Sequence, residues 1–179
     1  MNFEEKTINS RDIFSGRIIK VRVDTVSLPD GRESTREIVE HAGAVAMVAV
    51  DDADNIYLVR QYRKAAEQVM LEIPAGTLEP DEEILSCARR ELEEETGLRA
   101  DSWEKILSYY SAPGFCDEKL HLFLARDLSA GEKNPDSDEF LESVSIPLKE
   151  AYRMIFTGQI VDGKSIIGIQ YAFNHLMRG

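Results

Sequence analysis

The sequence predicts an α/β architecture with an antiparallel hairpin at its N-terminal end, and three observations carry that expectation. Strand-type runs fill residues 16–73 and return over 103–147, one strongly helical stretch lies between them, and two stretches with apolar spacing of three and four close the chain. At 179 residues, the chain suits one ordinary domain, or one domain with a small appendage.

In chain order, "GRIIKVRVDTVSLPDGRESTREIVEH" predicts two strands around the turn Pro29-Asp30-Gly31, residue types that favour tight reversal. "AVAMVAV" is an apolar β-type run, "DDADN" supplies turn residues, and "IYLVRQYR" returns as a strand ending in basic residues. "VMLEIPAGTLEP" is extended and interrupted at Pro74 and Gly76. "DEEILSCARRELEEET" has helical spacing and stops at Gly97, a good C-cap. "WEKILSYY", "KLHLFLARDL" and "LESVSIP" are predicted strands, with the loop "SAPGFCDE" after the first and the acidic loop "GEKNPDSDEF" after the second. "LKEAYRMIFTGQI" and "SIIGIQYAFNHLMR" predict two closing helices.

Twenty-one basic against 33 acidic residues give a formal charge of −12, which argues against nonspecific binding to nucleic acid or an anionic membrane. The opening "MNFEEKTINSRDIF" lacks a basic-then-apolar layout, and no apolar run approaches the roughly 20 residues that span a bilayer. The expectation is a cytoplasmic protein. Cys87 and Cys116 make no disulfide framework or zinc-type spacing and are expected as reduced packing residues. The chain has neither GxxxxGK[ST] nor GxGxxG, so nucleoside-triphosphatase and dinucleotide-redox readings lack support.

The stretch "RELEEETGL", Arg90 to Leu98, is chemically the most informative. At about 100° per residue, Glu91, Glu94 and Glu95 converge on one side of a helix, beside the apolar stripe of Leu85, Ala88 and Leu92. Like charges at this spacing, close to the helix C-terminus, each cost a few tenths of a kcal/mol. A solvated acidic face is the ordinary explanation of such a cluster. The alternative is a hard divalent cation, which takes carboxylate and carbonyl oxygens and turns their repulsion into attraction.

The wider segment "GTLEPDEEILSCARRELEEETGL", Gly76 to Leu98, resembles a Nudix box at every defined position: Gly76, Glu82, then Arg90-Glu91-Leu92-Glu93-Glu94-Glu95-Thr96-Gly97-Leu98. Such a match arises by accident about once in 10⁸ to 10⁹ windows of average composition. The resemblance implies an α/β/α sandwich around a mixed sheet and hydrolysis of a diphosphate with divalent metal, Mg²⁺ with Mn²⁺ as a substitute. It implies metal binding by Glu91, Glu94 and Glu95 and by the main-chain carbonyl of Ala75, with Glu82 as a further contributor and Arg90 orienting the glutamates.

Outside the box, "FSGRIIKVRVDTVSLPDG", "REIVEHAGAVAMVAV", "VRQYRK", "EIPAGTLE" and "YYSAPGFCDEKLHLFLA" resemble the ADP-ribose pyrophosphatase branch, as does Pro113, fifteen positions after Leu98. Buried phosphates need cationic partners, and Arg60 and Arg63 are nominated for phosphate or terminal-ribose contacts. Glu72 and Glu118 are nominated to accept hydroxyls of adenosine or ribose. The branch further implies a homodimer built on its N-terminal strands, with residues 1–42 as dimerisation element, 43–179 as hydrolase domain, and an aromatic, Phe14, lent to the partner's site. It also implies a general base on a late acidic loop, Glu139, with Asp138 and Glu142 as alternatives.

Three functions therefore stand: an Mg²⁺-dependent ADP-ribose diphosphatase, a Nudix hydrolase of another preference such as GDP-mannose, and a nucleotide-sensing module that does not cleave.

Overall fold

The computed structural model describes residues 2–134 and 140–177. Two compact units divide the chain, Met1–Gly43 with Tyr109–Lys119, and Ala44–Ser108 with Leu120–Gly179.

The first unit holds a three-stranded antiparallel sheet of β1 (Lys6–Ser15), β2 (Ile19–Ser27) and β3 (Glu33–His41). The expected hairpin is β2–β3, reversed at Gly31 in the left-handed region (φ 86°). The strand β1 was not expected. All ten of its residues are exposed, so no buried face imposes the period-two alternation that marks a strand in sequence. Within the same unit, residues 109–119 are tied to β3 by Val39 N–H to Phe115 O (2.7 Å) and Asp117 N–H to Val39 O (3.1 Å). A groove of about 290 Å³, lined by Ile13, Val21, Val39 and Phe115 among others, opens on this unit.

The second unit is built on a mixed sheet ordered β10 (Leu141–Pro147), β5 (Asn55–Arg63), β4 (Ala44–Val50), β9 (Lys119–Ala130), β8 (Leu98–Tyr110), with β6 (Gln68–Glu72) on β5 and β7 (Ala75–Thr77) on β4. The β4–β9 pairing is parallel, Ala44 opposite Leu120 and Ala49 opposite Ala125. Every residue of β4 is buried, as its continuous apolar run requires of a strand covered on both faces.

Alternation along β4 then assigns each helix a side. Val45, Met47 and Ala49 pack with Cys87, Ala88 and Leu92 of α1 (Ile84–Thr96) and with Phe123 and Ala125 of β9. Val48 faces the other helix layer, where α3 (Gly163–Met177) places Gly168 against Val48, Ile73 and Leu122 so closely that a Cβ there would overlap Val48. α2 (Leu148–Phe156) joins α3 through Tyr152, whose ring stacks on Phe173 at 3.9 Å. Sheet and helices form the α/β/α sandwich expected from the sequence. Among the described residues no helix is long and apolar enough to cross a membrane.

α2 ends at Phe156, short of the expected Ile160, β8 starts at Leu98, ahead of the expected Trp103, and two helix starts differ from expectation. α1 begins at Ile84, not Asp81, because Glu83 stays extended (φ −71°, ψ 134°) and its carboxylate accepts from Ser86 N–H. α3 begins at Gly163, because Asp162 accepts from Ser165 N–H through its side chain and from Ile166 N–H through its carbonyl. The end of α1 is as expected, with Gly97 left-handed (φ 72°) and its N–H on Glu93 O.

Candidate active site

β7 and α1 build the core of the site. Gly76, in β7, lies so close to α1 that a Cβ would fall inside the carboxyl group of Glu91, so only glycine lets that side chain lie along the strand. Glu95 is buried, and its Oε2 accepts Ala75 N–H at 3.1 Å. Pro74 O accepts from Met47 N–H at 2.9 Å. The Pro74–Gly76 corner is therefore held between the central strand and the box helix.

Arg90 gathers the carboxylates. Its Nε and Nη2 grip both oxygens of Glu82 (2.9 and 3.0 Å), and Nη1 donates to Glu91 (2.8 Å) and Glu94 (2.9 Å). Glu79 N–H donates to Glu82 as well. The Arg90 hydrogen bonds hold the Glu82 carboxyl well below the usual range, at about 2, and Glu82 in turn raises the guanidinium pKa. Arg90 thus makes charge-assisted hydrogen bonds to three glutamates of the box. Beside it, burial pushes the Cys87 thiol up to about 12, so it stays protonated and inert. Both cysteines are free thiols, as expected.

Among the described residues no three acidic, histidine or cysteine side chains converge at ligand distance, since Arg90 draws Glu91 and Glu94 while Glu95 turns to Ala75. The donor set nonetheless suits a divalent cation. Three carboxylates, Glu82, Glu91 and Glu94, share one guanidinium, Glu95 accepts from Ala75 N–H beside them, all four are hard oxygen donors, and Glu91 lies in a cradle that a Cβ at Gly76 would fill.

The nominated arginines diverge. Residues 60 and 63 are an odd number of positions apart on β5 and fall on opposite faces of the sheet. Arg60 pairs with Glu142 of β10 at 2.7 Å. Arg63 makes a two-pronged bond, 2.8 Å on each side, to Glu72 of β6 and stays 41% exposed. Glu72 is buried, and its carboxylate also meets Lys164, so two protein cations engage it.

The remaining nominees belong to the first unit. Phe14 is exposed near the end of β1, Pro113 is exposed in the turn before Phe115, and Glu118 lies 3.8 Å from His41. Glu139 and Asp138 lie outside the described residues. Of the alternatives for the base, Glu142 is described, and it is the Arg60 partner. Sequence reasoning missed Asp162, Lys164 and Ser165, whose one local signal is the aspartate three residues before Ser165, a helix-start pattern.

Glu72 gives the site a pH signature. Burial opposes its ionisation, but hydrogen bonds and charge from Arg63 and Lys164 outweigh it and lower the pKa from 4.5 to about 2. The depressed value makes a stability contribution of about 3 kcal/mol that is complete above the unfolded pKa and is lost as pH falls towards the folded one. Urea midpoints should therefore fall between pH 4.5 and 2, and Glu72→Gln should lower the neutral-pH midpoint while flattening that acid limb. An unchanged acid limb in Glu72→Gln would refute this assignment.

The sequence and the fold resemble those of known proteins. The NUDIX domain family matches residues 40–166, and the nucleoside diphosphate sugar hydrolase N-terminal domain matches residues 5–39. The chain belongs to the Nudix family. It is 47% identical to the methanol dehydrogenase activator of Bacillus methanolicus, covering 94% of this chain and 92% of that protein. It is 46% identical to the ADP-ribose pyrophosphatase of Bacillus subtilis (strain 168), covering 95% and 93%. A crystal structure of an ADP compounds hydrolase superimposes with a TM-score of 0.87 at 22% identity, over 99% of this chain and 97% of that one, which bears on the fold.

Proposed function

We propose that this chain is an Mg²⁺-dependent ADP-ribose diphosphatase that releases AMP and ribose 5-phosphate. The observation that carries the reading is the Arg90-centred carboxylate cluster against the Ala75–Gly76 corner, in a chain that aligns over 95% of its residues with an ADP-ribose pyrophosphatase. Glu91, Glu94 and Glu95, with the Ala75 carbonyl, would hold the cation. Bound there, Mg²⁺ neutralises diphosphate charge and lowers the pKa of water. Arg90 gathers Glu82, Glu91 and Glu94 and aims them, and Arg63 supplies a fixed cation for a phosphate. Glu139 is proposed as the base that takes the proton from the attacking water.

A second reading, a hydrolase of nucleoside diphosphate sugars such as GDP-mannose, is favoured by the family match over residues 5–39. A panel of ADP-ribose, GDP-mannose, NADH and diadenosine polyphosphates separates the two. ADP-ribose is expected to give the highest kcat/KM by at least about tenfold. A higher value for GDP-mannose transfers the assignment. Binding without cleavage at any Mg²⁺ or Mn²⁺ concentration revives a sensing role.

The proposal includes a homodimer in which residues 1–42 serve association and 43–179 catalysis. Its support is the exposure of Ile8, Ile13 and Phe14 on β1, an edge strand with apolar side chains in water.

A further inference from the structure

The segment leading into the box is fastened residue by residue to the start of α3. Lys164 Nζ pairs with Glu72 Oε2 and lies 3.0 Å from Asp162 Oδ1. Ser165, fully buried, accepts Ile73 N–H on its Oγ at 2.8 Å. Lys164 and Asp162 side chains are each only 14% exposed. Glu72 thus stands between two cations of different exposure: Lys164 inside, and Arg63, whose Nε and Nη2 are committed to the fork. Two anions and two cations balance, and the second oxygen of Asp162, Oδ2, is buried with no hydrogen-bond partner among the described residues.

A buried ion network of this kind seldom outperforms apolar packing in stability, and its best-attested benefit is a defined arrangement. The arrangement here has one outlet. Arg63 is the only member with substantial exposure, and a guanidinium gripped along one edge presents its remaining N–H groups in a fixed plane, with little rotamer entropy left to lose on binding.

We propose that Lys164 is a positioning residue for substrate: by sharing the Glu72 carboxylate it fixes the Arg63 guanidinium and keeps its charge available to a diphosphate. Without Lys164 the cluster carries a net negative charge, Glu72 neutralises Arg63 alone, and the cation offered to phosphate weakens. The inference rests on the proposed nucleoside diphosphate chemistry and adds to it a residue outside the box, with a side chain only 14% exposed.

The test compares Lys164→Met with Lys164→Arg in the full chain. Lys164→Met is expected to raise KM for ADP-ribose about tenfold with kcat within about twofold, and Lys164→Arg to restore most of the loss. A merely structural role would lower the melting temperature and the active fraction without moving KM, and a KM within twofold of wild type in folded Lys164→Met overturns the proposal. Should Lys164→Met not fold, Arg63→Lys decides. It keeps the charge but cannot span both Glu72 oxygens, so an unchanged KM overturns the proposal equally. Calorimetry with ADP in Mg²⁺-free buffer separates this from the catalytic reading. If wild type cleaves none of the panel yet binds ADP, and Lys164→Met weakens that binding about tenfold, the network stands and the enzymatic assignment falls. ADP binding that is absent, or equal in both, overturns the network.

Discussion

Glu95→Gln is expected to lower kcat/KM at least about 100-fold, close to 3 kcal/mol of transition-state stabilisation, and to weaken divalent-cation binding at least about tenfold, with little change in melting temperature. The reason lies in what the substitution keeps. Glu95 is buried and its Oε2 accepts Ala75 N–H, and a glutamine carbonyl oxygen of the same size can accept the same bond. What disappears is one unit of negative charge at the centre of the donor set. Steady-state kinetics with a Mn²⁺ or Mg²⁺ titration followed by calorimetry reads both quantities. Wild-type turnover and wild-type cation affinity in Glu95→Gln together would remove the box carboxylates from the chemistry.

Gly76→Ala is expected to be nearly as damaging for a different reason. The new methyl group would occupy the position of the Glu91 carboxyl. The obstacle is the far end of a flexible side chain, so the backbone can stay while Glu91 swings away. The fold should survive with a loss of melting temperature of a few degrees, and kcat/KM should drop about 100-fold. Glu91→Ala should cost about as much, and the double substitution little more than either alone, because both remove the same carboxylate from the same place. Additive losses would show that Gly76 acts through something other than Glu91.

How far the sequence disclosed this molecule depended on whether a feature was local. α1 was legible because apolar periodicity, a C-cap glycine and a spaced set of charged residues coincide within 23 positions, Gly76 to Leu98. β4 was legible as a continuous apolar run. β1 was not, since a strand without a buried face leaves no alternation to read. The first turn before α1 also misled, because Asp81 and Glu82 continue the helical spacing while Glu83 keeps the backbone extended as a cap.

The site divides in the same way. Glu82, Arg90, Glu91, Glu94 and Glu95 announce themselves through spacing, and the structure joins Glu82, Glu91 and Glu94 through one guanidinium while Glu95 holds Ala75 N–H. Glu72 and Arg63 were nominated singly, but their pairing needs the β5–β6 register, Arg63 opposite Gln68 and Val59 opposite Glu72. Lys164 stands 92 positions from Glu72, and nothing in "VDGKS" distinguishes a positioning lysine from a solvated one. Arg60 and Arg63 resemble each other in sequence, yet the strand's alternation sends them to opposite sides and to different glutamates.

The parallel pairing of β4 with β9 has a consequence for how the protein comes into being. Ala44 must wait for Leu120, so the central ladder cannot close while the polypeptide is still short, and closing so long a loop is slow in proportion to the chain entropy given up. The box helix emerges from the ribosome earlier, before Phe123 and Ala125 of β9, which complete the core around Cys87, Ala88 and Leu92, have been made. The cation binding proposed for it would therefore be acquired late, as a property of the finished sheet, and a nascent or clipped chain would carry the whole motif without the ability to use it.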